Sequence, residues 1–211
     1  MVSVYTVHTG PGKAVDLHPR TSLFGHKTPV TSIAVSKAFS TFVTVSQDGI
    51  SLLWDLNRLE FVRKLSLARA VECSSINDVT GEIMLCSGPN VLLYTLNGDL
   101  ILDQNVCGAE GQDDFVHSCA FYEGLSNEWL ENNIIFTGHK RGRVNVWRKT
   151  VGRNGRWILE FQRRLDHANP KSESGANVDA AITCISPMPQ LVYTGDDDGR
   201  VVSFPFAAEI L

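Results

Sequence analysis

One short unit, a tight turn followed by an alternating apolar run and a closing aromatic, recurs along this chain and restricts its fold more than any other feature. Its clearest copies are Ser46-Gln-Asp-Gly-Ile-Ser-Leu-Leu-Trp54, His139-Lys-Arg-Gly-Arg-Val-Asn-Val-Trp147 and Asp196-Asp-Asp-Gly-Arg-Val-Val-Ser-Phe204. A fourth, Cys86-Ser-Gly-Pro-Asn-Val-Leu-Leu-Tyr94, has a shortened turn. Gly49, Gly142 and Gly199 each stand five residues before the aromatic. Asp-Gly is a strong hairpin signal because both residues tolerate positive φ. An apolar strand precedes each turn: Phe42–Val45, Ile83–Cys86, Ile134–Thr137 and Leu191–Thr194. Before each of these lies another alternating strand: Thr31–Val35, Ala70–Ile76, Val116–Phe121 and Ala181–Ser186. Period-two alternation of this kind reads as half-buried strand. No long amphipathic helix interrupts it, and a single helical turn is expected around Ser126–Glu131.

The closing aromatics are spaced by 40, 53 and 57 residues. A four-stranded propeller blade takes about 40–45 residues, so the first interval is bare and the later two carry insertions. These are expected at Glu123–Asn132, at Val151–Gly155 and over Leu165–Val178, the last holding the loop sequence Asn169-Pro-Lys-Ser-Glu-Ser-Gly175. The fold class is therefore all-β. About four propeller blades are predicted, near 20–57, 65–97, 114–150 and 178–206, with 1–19 the remnant of a preceding blade. Four blades with open edges expose unpaired backbone groups. They imply part of a larger seven- or eight-bladed ring, or two copies that complete one.

Composition fits a globular chain with a real core: 211 residues, 43% hydrophobic and 20% charged. No apolar run approaches the roughly 18 residues of a membrane helix, and the start lacks the pattern of a signal peptide. Cys73, Cys86, Cys107, Cys119 and Cys184 are odd in number, with no C-x-x-C. Neither a disulfide framework nor a zinc site is expected, and a reducing compartment fits best. The thiols read as small buried apolar groups.

The net charge of −4 is unevenly spread. Lys140, Arg141, Arg143, Arg148, Lys149, Arg153, Arg156, Arg163 and Arg164 are opposed within their segment only by Glu160, a local +8 that leaves −12 elsewhere. Arg forks and Lys point charges at such density form a candidate surface for phosphates or an acidic partner. The plainer reading is a solvated strand face, with Arg156 and Arg164 pointing outward. Asp196-Asp197-Asp198 reads as a turn.

The first unit resembles a WD repeat in detail. It carries Gly25-His26, Ser46, Asp48 and Trp54-Asp55 at that family's positions. The resemblance implies that His26, Ser46, Asp48 and Trp54 form one hydrogen-bonded strut through the blade. The residue types suit the role, because a buried indole N–H needs an acceptor, a hydroxyl both donates and accepts, and a carboxylate fixes an imidazole. His, Ser and Asp in one repeat also invite a hydrolase reading. No G-x-S-x-G elbow surrounds Ser46, and the strut already accounts for all three. The six histidines follow no repeated inward placement either, and His139, at the position of Ser46, reads as a strut substitute. No catalytic residue, metal or cofactor is expected.

A narrower resemblance is carried by Glu123-Gly-Leu-Ser-Asn-Glu-Trp-Leu-Glu-Asn-Asn-Ile-Ile-Phe-Thr-Gly-His139 followed by Gly142-Arg-Val-Asn-Val-Trp147. Phe24-Gly-His-Lys-Thr-Pro-Val-Thr-Ser-Ile33 and Tyr193-Thr-Gly-Asp-Asp-Asp-Gly-Arg-Val201 add to it. Together they are similar to the C-terminal propeller of BEACH–WD40 (beige/neurobeachin-like) proteins. That likeness covers roughly residues 20–206. It implies a non-enzymatic, protein-binding scaffold acting in membrane trafficking, lysosome or vacuole regulation, or autophagy. It also implies a cytoplasmic site peripheral to endosomal, lysosomal or vacuolar membranes. Partners would be other proteins, with an anionic membrane surface reached through a large parent chain; nucleic acid is not expected. A generic WD adaptor using the basic face at 140–164 is the alternative. The chain departs from the family where Arg141 stands for the turn Asp, and where Tyr94 and Phe204 stand for Trp.

Overall fold

Alternation and tight turns decide the architecture strand by strand. The computed structural model describes residues 1–10, 15–67, 69–108, 114–122, 133–166 and 180–206. The helical turn expected around Ser126–Glu131, the insertion at Glu123–Asn132 and the loop at Asn169–Gly175 lie outside the described residues. Seventeen strands form five antiparallel sheets among those described. β1 (Val2–His8) and β2 (Asp16–Leu23) make a two-stranded hairpin. Sheet one is the meander β3 (Val30–Ser36), β4 (Thr41–Ser46), β5 (Ile50–Asp55) and β6 (Phe61–Ser66). Sheet two is β7 (Cys73–Ile76), β8 (Ile83–Ser87), β9 (Asn90–Tyr94) and β10 (Leu100–Asn105). Sheet three is β11 (Val116–Phe121), β12 (Ile134–His139), β13 (Arg143–Val151) and β14 (Trp157–Asp166). Sheet four shows three strands, β15 (Ile182–Pro187), β16 (Leu191–Asp196) and β17 (Val201–Pro205). This is a series of propeller blades.

The copies agree in register, not only in sequence. Trp54 pairs with Phe42, Trp147 with Ile135, Phe204 with Val192, and Tyr94 with Ile83 across the two central strands of their sheets. Sheet two is one residue shorter here because its hairpin turns on Gly88-Pro89 alone, with Gly88 at φ +56°. Each first strand of sheets one, three and four skips one residue, at Thr31, His117 and Thr183. These bulges let the strand twist as it enters the blade. Beside both tryptophans the third and fourth strands slip by one, setting Trp54 against Phe61 and Trp147 against Phe161. Those rings meet edge to face at 5.9 and 5.5 Å, the arrangement aromatic quadrupoles favour.

The core sits between successive sheets. Val43, Val45 and Leu53 of sheet one meet Ile83, Leu85 and Leu92 of sheet two. Met84, Val91 and Leu93 meet Val116, Ile135 and Trp147, and Phe136, Val144 and Val146 meet Ile182, Val192 and Phe206. Two departures from the sequence reading have physical reasons. Val151 ends β13, and Leu165 and Asp166 end β14. Part of the second insertion is therefore spent lengthening a hairpin, where the facing backbone groups pair. Cys184 is exposed while Cys73 and Cys86 are buried, because no described strand covers the outward face of β15.

Gly49 closes the turn of sheet one at φ +81°, and a Cβ there would lie 2.2 Å from the carbonyl oxygen of Arg69 and 2.5 Å from that of Leu67. Gly155, at φ +74° in the β13–β14 turn, has open space around it. G155A is expected to cost only the left-handed backbone penalty, about 1–2 kcal/mol. G49A adds a backbone clash and is expected to exceed it clearly. Urea denaturation of the two variants checks this, and equal costs would contradict the packing described.

Candidate functional site

The four residues marked on the first repeat come together in space. His26 lies in the loop between β2 and β3, Ser46 ends β4, Asp48 sits in the turn and Trp54 lies on β5. The His26 Nδ1–Ser46 Oγ distance is 2.8 Å, and Ser46 Oγ donates to Asp48 Oδ1 at 2.6 Å. The link to Trp54 runs through a residue the sequence reading passed over. Thr44 Oγ1 accepts the Trp54 Nε1–H at 2.9 Å and lies 2.7 Å from His26 Nε2. Gly25 fits beside this chain because a Cβ there would stand 2.6 Å from Leu52 Cδ1 and 3.6 Å from the indole.

Proton counting gives the chain a direction. The indole can only donate, so Thr44 accepts from it and turns its own O–H to His26 Nε2. The imidazole then carries its proton on Nδ1 and donates to Ser46, whose O–H ends on the Asp48 carboxylate. Burial holds the His26 pKa below its ordinary value against the pull of Asp48, so the ring is neutral. The Ser46 hydroxyl holds the Asp48 carboxyl below the usual range, so the acceptor end is an anion.

Sheet three rebuilds the same chain from other places. Trp147 Nε1–H donates to Thr137 Oγ1 at 2.8 Å, and Thr137 Oγ1 lies 2.9 Å from His139 Nε2. Asn145 Nδ2 approaches the same ring nitrogen at 3.1 Å while its Oδ1 accepts from Arg164 Nε at 3.4 Å. The imidazole now comes from the strand. Its Nδ1 faces Cys107 Sγ at 3.5 Å, within reach of a weak hydrogen bond, and Asp114 Oδ2 of the entering segment at 3.6 Å, an ion-pair contact too long for one. Burial is the main cause that pushes the His139 pKa down to about 4, with Asp114 pulling the other way. Arg141, in the turn position of Asp48, takes no part. In register, Leu85 and Ser87 of sheet two stand where sheet one has Thr44 and Ser46. With no hydroxyl at the first of these and no indole at Tyr94, the same chain is not built. The threonine was legible, since Thr44, Thr137 and Thr194 all stand ten residues before a closing aromatic. Asp114 was not, because it lies outside the repeated offsets.

The nine basic residues do not share one face. Lys149 is buried and its ammonium meets the Glu82 carboxylate at 2.6 and 2.5 Å, with Trp157 beneath it at 4.9 Å. That charge binds sheet three to sheet two. Arg163 lies over the Phe206 ring at 4.9 Å, and its buried Nε and Nη2 meet no hydrogen-bond partner among the described residues. Arg148 pairs across the sheet with Glu160. Lys140, Arg141, Arg143 and Arg164 gather at the turn end of sheet three, whereas Arg153 and Arg156 occupy the far end of the β13–β14 hairpin. Eight strand steps of about 3.3 Å separate the two groups by about 26 Å, well beyond a Debye length of about 8 Å at physiological salt.

A family model described as "WD domain, G-beta repeat" matches residues 17–55, the stretch that holds the first strut. This is a WD-repeat chain. It is 29% identical over 199 residues to Beige protein homolog 1 of Schizosaccharomyces pombe, spanning 86% of this chain and 8% of that protein. Human WD repeat- and FYVE domain-containing protein 4 is 34% identical over 70% of the chain and 5% of its own length. Human lysosomal-trafficking regulator is 28% identical over 90% of the chain and 5% of its own length. These are BEACH-type proteins, and the WD-repeat chain spans less than a tenth of each. The crystal structure of the computationally designed Ika4 protein superposes with a TM-score of 0.60 at 20% identity, over 88% of this chain and 96% of that one. That last likeness speaks for the fold alone.

Two expectations follow. Trp54→Ala should cost about 3–5 kcal/mol, as for other buried aromatics. Thr44→Val, which strands the indole N–H and unties His26, should cost about 1–3 kcal/mol; a neutral T44V would break the proposed relay. Both imidazoles are harder to protonate folded than unfolded, where the pKa is about 6.5. Above that pH both states are neutral and the contribution is full. As the pH falls from about 6.5 towards 4, the unfolded chain takes up protons first and stability declines. The urea midpoint should therefore be flat above neutrality and fall through this window, and a midpoint that rose there would reverse the sign.

Proposed function

We propose that this chain is a non-enzymatic protein-docking platform within a BEACH-type scaffold, acting in membrane trafficking, lysosome or vacuole regulation, or autophagy. The WD repeat and the BEACH-type relatives support the protein-interaction role, and one relative is by name a regulator of lysosomal trafficking. The observation that carries the reading is the pair of buried polar relays, which spend the His, Ser and Asp side chains on fixing loops to strands. Rigid strands that hold variable loops are what a recognition surface needs. No described helix is long and apolar enough to cross a membrane. We place the chain in the cytoplasm, peripheral to endosomal, lysosomal or vacuolar membranes.

The generic alternative, an adaptor whose basic face at 140–164 binds anionic lipid, draws less support. Lys149 is neutralised by Glu82, and the exposed cations stand in two separated groups.

Removing residues 1–211 from the full parent protein tests the proposal in cells. Cross-linked partners should be lost and lysosome or vacuole size should change. Unaltered partners and organelles would overturn it. A vesicle-binding assay separates the alternative: R153E/R156E should leave binding to anionic vesicles unchanged, whereas a steep salt-dependent loss would favour a lipid-facing role.

A further inference from the structure

We propose that Cys107, Asp114 and His139 form a site for Zn2+, or a divalent ion of like preference, at the junction of sheets two and three. Cys107 follows β10, Asp114 precedes β11 by two residues, and His139 ends β12. Their ligand atoms all lie within 4.8 Å of one another. Asn105 Oδ1 accepts from the backbone N–H groups of Cys107 and Gly108 at 2.9 and 3.2 Å, which fixes the loop that carries the sulfur.

The two contacts of His139 Nδ1 have the lengths a shared ion would set, the shorter being also within reach of a weak N–H···S hydrogen bond. His139 Nδ1 stands 3.5 Å from Cys107 Sγ and 3.6 Å from Asp114 Oδ2. An N–H···O contact of that second length is too long to count as a hydrogen bond. Zinc bonds of about 2.3 Å to sulfur and about 2.0–2.2 Å to nitrogen and oxygen, arranged tetrahedrally, place N and S about 3.5 Å apart and N and O about 3.3 Å apart.

A second observation is independent of these lengths. Asp114 is 3% exposed and its Oδ1 is buried with no hydrogen-bond partner among the described residues. Its one ion-pair contact among them is the 3.6 Å approach of His139 Nδ1. A buried carboxylate so placed is costly unless a cation meets it. Thiolate and carboxylate together carry two negative charges, which balance a divalent ion. Half-exposed Cys107 leaves a side open for water as the fourth ligand.

The protons balance as follows. Binding releases the Cys107 thiol proton to solvent. The imidazole keeps one proton, moved from Nδ1 to Nε2, where Thr137 Oγ1 accepts it alongside the Trp147 indole. Asn145 turns its amide to present oxygen to the ring, giving up the 3.4 Å bond it accepts from Arg164 Nε. A metal-bound histidine whose other nitrogen donates in this way is the usual arrangement.

The test uses the whole chain, reduced with a phosphine, stripped with a chelator and titrated with Co2+ and then Zn2+. We expect one equivalent of Co2+ to give tetrahedral visible absorption with a sulfur-to-cobalt band that Zn2+ displaces. C107S and C107A should both abolish that band while melting like the native chain in chelator. D114N should keep the band and weaken Zn2+ binding on the order of tenfold or more. Cys73, Cys86 and Cys119 form a second thiol cluster between the same sheets, so C119S serves as the control and should behave as native. A chain that stays colourless at millimolar Co2+, a band that survives both Cys107 variants, or one that disappears in C119S overturns the proposal.

Discussion

A buried indole N–H must find an acceptor, and much of this structure is arranged around meeting that demand twice. Trp54 and Trp147 each close a blade and pack edge to face against the fourth strand, which leaves their one polar atom inside. A single threonine hydroxyl takes the proton, and its own proton has to go somewhere equally dry. A neutral imidazole accepts it in both sheets, and in sheet one its other nitrogen passes the sense of donation on through Ser46 to the Asp48 carboxylate. In such a relay each group's partner is fixed by the group before it. The loop bearing the imidazole or the carboxylate is thereby held in one place on the strand, and packing of apolar side chains alone would not specify that position.

The two relays reach the same end with their parts exchanged. In sheet one the entering loop brings the imidazole and the turn brings the acid; in sheet three the strand brings the imidazole and the entering segment brings the acid. What is retained is the order of indole, threonine and imidazole, not the address of each residue. Sheet two dispenses with the relay, having Leu85 at the address of the threonine, and depends on apolar contact with both neighbours.

That exchange marks the boundary of what the sequence makes legible. Strand positions, turns and closing aromatics recur at fixed offsets, so the fold could be read from the repeat alone. The strut of sheet one could be read because all four named residues sit at their family's positions, although its threonine went unnoticed between them. Asp114 and Cys107 stand at no repeated offset, and only the folding of β10 and β11 onto β12 brings them to His139. The basic segment shows a limit of the opposite kind. Nine cations adjacent in sequence suggest one surface, yet alternation along two long strands turns Lys149 and Arg163 inward and sends Arg153 and Arg156 to the remote end.

The junctions between sheets are built almost wholly from pairs of neighbours. Thr31 Oγ1 donates to Val71 O, Gln104 exchanges two hydrogen bonds of 2.8 Å with Leu159, and Ser118 Oγ donates to Ile182 O. Energetically such a chain is close to a one-dimensional lattice, in which each blade's survival depends on the state of the blade on either side. Sheets one, two and three each pack against a neighbour on both faces, so their amide hydrogens should exchange most slowly. Sheet four, which packs its core on sheet three, is where opening should begin, with the loss of order travelling inward one junction at a time.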